Sequence, residues 1–169
     1  DHLKFANQAY AGYVLARVNR APLGTLRALY DNERGKSLTG LPLVHLGIAL
    51  SLQGDKTRGA KAITEGFAKT GDRPDYLGDY GTKLRDDALM IALVHERKLA
   101  KPEFDRRAIS LGRELDARRN SGWLWLSTQE QVALARLGKA LMVDQKELVS
   151  GQWRIGGDAE AVAPVRLFG

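Results

Sequence analysis

Seven segments with the apolar spacing of α-helices follow one another along the chain, and they differ in how many of their sides are apolar. Segments 41–53 and 81–98 are apolar on nearly every side, which is typical of helices buried among other elements. Segments 55–69 and 102–119 carry a single apolar stripe, which is typical of helices that cover a core from outside. In segment 55–69 this stripe consists of Ala60, Ile63 and Phe67. The predicted helices cover residues 3–19, 23–33, 41–53, 55–69, 81–98, 102–119 and 127–143.

This alternation of inner and outer helices predicts an all-α fold in one of two architectures. In an α/α toroid, inner helices line a barrel and outer helices wrap it, whereas an open solenoid stacks helix pairs in a row. Three and a half hairpins are too few to close a ring, so we expect part of a toroid. Because segment 3–19 is apolar over more than one narrow stripe, we also predict an exposed apolar edge. This edge would lead to self-association through residues 3–19, or to marginal stability unless the rest of the toroid is supplied. The alternative is that residues 151–169 fold back and cover it.

The end of the chain has a different pattern from the helical part. Residues 151–169 contain several glycines, and Trp153-Arg154-Ile155 and Val165-Arg166-Leu167 alternate apolar and basic side chains. Such alternation favours extended structure. We therefore predict a helical domain over residues 1–150, followed by an extended tail or the start of a β-domain over residues 151–169.

Charge and cysteine content exclude several classes of function. The net charge of +6 is spread over helices in which acidic and basic residues are interspersed. The sequence therefore lacks the basic stripe that would indicate nucleic acid as a partner. The chain contains no cysteine, which excludes disulfides, thiolate chemistry and cysteine–zinc sites.

The polar motifs predict structural roles, and we expect no catalytic, cofactor-binding or metal-binding residues. Ser127 and Glu130 have the spacing of a capping box at the start of a helix. Asp86 and Asp87 are adjacent on a helix, so they cannot share the face that a catalytic acid pair needs. His2, His45 and His95 lack metal-ligand spacing, and His45 is expected to be a hydrogen-bonded histidine of the core.

Two further groups of residues have both a functional and a structural interpretation. Trp123, Trp125 and Trp153 are able to form a binding platform, but we expect Trp123 or Trp125 to be buried in the core. The aspartates of one loop lack the glycine and terminal glutamate of a calcium loop, so a solvated loop is the better prediction. These aspartates are Asp72, Asp75 and Asp79.

Three stretches, in the same order and with plausible spacing, resemble the thioester domain of the α2-macroglobulin and complement family. The first is ANQAYAGYVLA at 6–16 with Pro22-Leu23-Gly24 after it, and the second is RDDALMIAL at 85–93, which follows Tyr80-Gly81. The third and most specific is WLWLSTQE at 123–130, which is similar to the entry to the family's last long helix. The resemblance covers most of residues 6–145.

The resemblance implies that the chain is the second half of the thioester-domain toroid of a bacterial α2-macroglobulin-like inhibitor, a non-enzymatic protein that traps proteases when its bait region is cut. Its partners would be the remainder of the parent inhibitor, namely the first half of the helical domain and the β-domains, and the target proteases. It also implies a periplasmic location, with some parents anchored to the inner membrane by a lipid. The family's Cys-x-Glu-Gln motif is absent here and is expected before Asp1.

Two other functions fit the helical pattern. A helical-repeat adaptor would bind peptides or proteins in its concave face, but the predicted hairpins begin near residues 3, 41, 81 and 127 and so lack a fixed period. An α/α-barrel glycosidase would need acidic residues converging at the ends of inner helices, and Asp86 and Asp87 are nearly the only acids there.

Overall fold

The computed structural model describes residues 1–69, 73–74, 77–122, 125–144, 154–155 and 158–159. Its described part is all-α apart from one short pair of strands, as the apolar periodicity predicts. The helices are α1 (His2–Arg17), α2 (Leu23–Glu33), α3 (Gly40–Leu52), α4 (Lys56–Ala68), α5 (Lys83–Glu96), α6 (Pro102–Asn120) and α7 (Thr128–Asp144), with a 3₁₀ turn at Arg34–Lys36 after α2.

The helices alternate between an inner and an outer layer. The inner helices α1, α3, α5 and α7 contact one another in this order, and the outer helices α4 and α6 pack on α3 and α5. The buried residues form one hydrophobic core, and α3 and α5 supply its largest share. This is the predicted inner and outer order, and it is the arrangement of an α/α toroid that is not closed.

Local sequence signals set the helix ends. Gly54 ends the turn after α3. Its φ is +97°, a conformation that glycine adopts without strain. Asp55 then caps α4, since its carboxylate accepts a hydrogen bond from the backbone N–H of Arg58 at 3.2 Å. Pro102 occupies the first turn of α6, where its missing N–H has no helical partner to lose.

One face was placed wrongly from the sequence. The predicted buried stripe of segment 55–69 consisted of Ala60, Ile63 and Phe67, but Ala60 is exposed. Ile63 and Phe67 are buried, together with the small residues Gly59, Ala62 and Gly66. The buried face is therefore turned toward glycines, because α4 approaches α3 backbone to backbone and not through large side chains.

Only a small part of the predicted tail can be compared with the structure. Strand β1 (Arg154–Ile155) pairs antiparallel with β2 (Asp158–Ala159), with Arg154 opposite Ala159. The rest of 151–169 lies outside the described residues. Among the helices that are described, none combines the length and the apolar character that crossing a membrane requires.

Candidate functional site

A cluster of aromatic and charged side chains joins the inner helices, and we call it the inner cluster: Tyr10, Tyr13, His45, Glu96, Arg97 and Arg136. The ring of His45 on α3 lies 5.2 Å from the rings of both Tyr10 and Tyr13 on α1. The guanidinium of Arg97 lies 5.9 Å from the centre of the Tyr13 ring, and its Nη2 donates to the Tyr13 hydroxyl at 3.4 Å. The inner cluster therefore links α1 and α3 to the end of α5.

Histidine in this cluster is held neutral. Burial lowers the pKa of His45 to about 3, and the nearby positive charges of Arg136 and Arg85 act in the same direction. Its neighbours are aromatic rings, and in the described part of the chain it makes no hydrogen bond. We expected His45 to be a hydrogen-bonded histidine of the core. The expected hydrogen bond is absent among the described residues, because the two tyrosine rings occupy the space beside the imidazole.

Arg136 of α7 and Glu96 of α5 form a two-point ion pair at the edge of the inner cluster. Nε and Nη2 of Arg136 donate to the two carboxylate oxygens of Glu96, both at 2.7 Å. These hydrogen bonds lower the pKa of Glu96 and raise that of Arg136. Forked pairs of this kind fix geometry as well as charge, so the pair holds α7 in register against α5.

A second polar group, the ionic network of Arg73, Asp79, Arg85 and Asp86, surrounds the start of α5. Arg73 pairs with Asp79 and donates to Asp86 at 2.5 Å, while Arg85 donates to Asp86 at 2.8 Å and to Asp79 at 3.0 Å. Burial raises the pKa of Asp86 against the opposing effect of Arg85 and Arg73. For Asp79, the effect of burial is outweighed by the Gly81 N–H and both arginines, which lower its pKa.

The structure contradicts one prediction about aspartates and agrees with another. Asp79 is not a solvated loop residue, because it pairs with two arginines; Asp72 and Asp75 lie outside the described residues. Asp86 and Asp87 point to different partners, as their adjacency predicts. Asp87 is approached by Lys83 at 3.1 Å and by Arg107 at 3.5 Å.

The predicted capping box is confirmed and does more than end a helix. The Ser127 N–H donates to Glu130 at 2.8 Å, and the Glu130 N–H donates to the Ser127 hydroxyl at 3.3 Å. The other oxygen of Glu130 accepts from the hydroxyl of Thr82 at 2.8 Å. Thr82 is itself the cap of α5, so one buried carboxylate ties the starts of α5 and α7 together.

The other singled-out side chains have structural partners or lie at the surface. His2 accepts a hydrogen bond from the Leu38 N–H at 3.2 Å, and His95 pairs with Asp105 at 3.0 Å. Trp125 is 75% exposed, so it is not the core tryptophan, while Trp123 and Trp153 lie outside the described residues. Within the described ranges, no group of three or more His, Asp or Glu side chains has the spacing of a metal site.

The two outermost inner helices expose apolar side chains. Tyr10 and Val14 of α1 and Val18 just after it are spaced by four residues and are 55%, 41% and 64% exposed; we call these three residues the edge stripe. On α7, Val132 is 62% exposed. By contrast, α3 is buried almost along its whole length. An exposed apolar edge at segment 3–19 is therefore present as predicted.

Comparison with known proteins identifies relatives of this arrangement. A scan against models of protein families finds no match. Alpha-2-macroglobulin of Xylella fastidiosa is 66% identical over the full length of the chain, which spans only 10% of that protein. Among solved structures, the native conformation of the Escherichia coli alpha-2-macroglobulin has a TM-score of 0.76 at 40% identity, over 90% of this chain and 9% of that one. The trypsin-activated Escherichia coli protein matches with a TM-score of 0.70 at 39% identity, over 90% and 10%.

Proposed function

The chain belongs to the α2-macroglobulin family, and from this premise we propose that it is a structural segment of a bacterial protease inhibitor. In this proposal the parent traps proteases after its bait region is cut, and the chain contributes no catalysis. The chain has no cysteine, so a thioester thiol of the parent would have to come from another part of the parent. We further propose that the parent acts in the periplasm.

The role we propose for the chain is one half of the parent's α/α toroid, with residues 1–150 as this half-domain. The observation that carries the proposal is the contrast between the buried inner helix α3 and the exposed edge stripe on α1. Exposed contiguous apolar surface marks an interaction site. Further inner helices of the parent would cover it.

Rigidity is the property that such a half-domain supplies. Polar contacts of Arg97 with Tyr13, Arg136 with Glu96, and Thr82 with Glu130 fix α1 and α7 against α5. The ring contacts of His45 with Tyr10 and Tyr13 join α3 to α1. The similarity to both the native and the trypsin-activated Escherichia coli structures supports a unit that keeps its fold while the parent rearranges.

Hydrogen exchange tests the proposed role. The amides of α1 (His2–Arg17) are compared in this chain alone and in the full-length parent, with α3 (Gly40–Leu52) as the internal control. We expect slower exchange of α1 in the parent and little change in α3. Equal protection of α1 in both proteins would contradict the half-toroid role.

Protease trapping is tested separately in the parent. Two lysines in the edge stripe, Val14→Lys and Val18→Lys, place charges where an apolar partner is proposed. We expect the double variant to capture less trypsin than the unmodified parent. The matched control, Thr57→Lys with Thr64→Lys on the exposed side of α4, should trap normally.

A further inference from the structure

A cavity of about 420 Å³ lies between the end of α3, the outer helix α4 and the loop after α5. Its walls are mainly apolar and include Leu52, Ala60, Ile63 and Leu99. Leu52 is 41% exposed although it ends an otherwise buried helix. A largely apolar cavity of this volume is within the range of pockets that take small organic ligands.

Ser51 and three cationic side chains, Lys56, Arg97 and Lys101, complete the lining, and no acidic side chain takes part in it. The two nearest acids in sequence are engaged elsewhere: Asp55 with Arg27 at 2.7 Å and Glu96 with Arg136 at 2.7 Å. In the part of the chain that the structure describes, neither lysine has an ion-pair partner. The cavity therefore combines an apolar interior with two lysines that have no ion-pair partner among the described residues.

Two further features strengthen the positive character of this cavity. Lys56 is the first residue of the 13-residue helix α4, so its charge lies at the helix end with positive partial charge, which the Asp55 cap offsets in part. The Nε of Arg97 is buried and has no hydrogen-bond partner among the described residues. A buried donor without a partner is costly, and a ligand oxygen would satisfy it.

We propose that the cavity binds a small anionic amphiphile, a medium-chain carboxylate, with its alkyl chain against the apolar walls and its carboxylate between Lys56, Arg97 and Lys101. A half-open cavity of this volume suits a compact ligand better than a peptide, because peptide recognition uses an extended groove or a sheet edge. This site is independent of protease trapping. It shares only Arg97 with the inner cluster, through the contact with Tyr13.

The test is a titration of this chain with sodium octanoate below its micelle concentration, followed by amide chemical shifts and calorimetry. Octanoate should bind about tenfold more tightly than octanol and should shift the amides of Ala60 and Leu99, and octylammonium should not bind. Equal affinities for the three compounds, or shifts confined to the edge stripe, would overturn the proposal.

Variants separate the charge from the apolar walls. Lys56→Gln with Lys101→Gln should weaken octanoate binding about tenfold, and Lys61→Gln, on an exposed position of the same helix, should not. Ala60→Phe should abolish binding by filling the cavity, while Thr64→Phe adds the same bulk outside it. The titration is repeated in the full-length parent, where absence of binding would also overturn the proposal, because the cavity would then be covered.

Discussion

Gly47 of α3 and Gly59 of α4 lie so close that a Cβ atom on Gly47 would be 2.7 Å from the carbonyl oxygen of Gly59. A second pair, Gly40 and Gly66, makes an even closer approach at the other end of the same two helices. Real Cβ atoms do not reach such distances, so the two backbones pack directly on each other. The tightest inner–outer contact of the fold depends on glycine at these positions.

We expect Gly47→Ala to lower the free energy of unfolding by about 1–3 kcal/mol, because the added methyl group must push α3 and α4 apart. Gly112→Ala on α6 is the matched control, since a Cβ there would have no atom within 4 Å. This control should raise stability by about 0.5–1 kcal/mol through helix propensity. Urea denaturation measures both variants, and equal effects at the two positions would refute the packing argument.

His45 makes the stability of the chain sensitive to mild acid. Its pKa is about 3 in the folded protein and about 6.5 when unfolded, so the unfolded chain takes up the proton first as pH falls. The contribution of neutral His45 to the free energy of unfolding is fully present above pH 6.5 and is lost progressively below it. Between pH 7 and pH 5 we expect a loss of up to about 2 kcal/mol from this group.

His45→Phe isolates that contribution by keeping an aromatic ring between Tyr10 and Tyr13. Urea denaturation at pH 7 and at pH 5 should show a smaller acid loss in the variant than in the wild-type chain. Contributions from the other histidines cancel in this difference. An identical pH dependence in both proteins would mean that His45 is accessible to protons in the folded state.

Glu130 links two helix starts, and its removal should cost more than the loss of a surface carboxylate. Burial opposes ionisation, but the N–H of Ser127 and the hydroxyl of Thr82 lower the net pKa of Glu130 below its ordinary 4.5. We expect Glu130→Ala to lower the free energy of unfolding by about 1.5–3 kcal/mol at pH 7. Gln129→Ala, at the exposed neighbouring position, should change it by no more than about 0.5 kcal/mol.

The same carboxylate gives a second signature in acid. Because its folded pKa is lowered, its contribution is present above pH 4.5 and is lost as pH falls through the folded value. The difference in stability between the wild-type chain and Glu130→Ala should therefore shrink below pH 4.5. Thermal unfolding at pH 3, 4, 5 and 7 measures it, and a constant difference would show that the charge of Glu130 does not matter.

The sequence predicts the helices well because their signals are local. Apolar periodicity identifies the seven helices, and Gly54-Asp55 and Ser127 with Glu130 mark helix ends through contacts within a few residues. The face of α4 is harder to predict, since Ala60 looks as apolar as Ala62. Which of them is buried depends on where the glycines of α3 meet α4, and that is a property of the packed pair.

The polar sites were only partly predictable for the same reason. Thr82 lies 48 positions before Glu130, and no spacing rule connects them. The cations of the cavity come from α4 and from the loop after α5, so their convergence appears only once the hairpins are stacked. The structural role of Ser127 and Glu130 was predictable because a capping box is complete within four residues.

The edge stripe should make this chain associate with itself when it is studied alone. Burying a few hundred Å² of apolar surface on each partner yields on the order of several kcal/mol before the cost of association, enough for weak dimers. We expect the sedimentation coefficient to rise with concentration, and Val14→Lys with Val18→Lys to abolish the rise. Thr57→Lys with Thr64→Lys adds the same charge on α4 and should leave the rise unchanged.

Removing residues 151–169 tests a further explanation, in which the tail covers the stripe. Association would then strengthen on truncation. A monomer at every concentration, with and without these residues, would show that the stripe does not drive self-association.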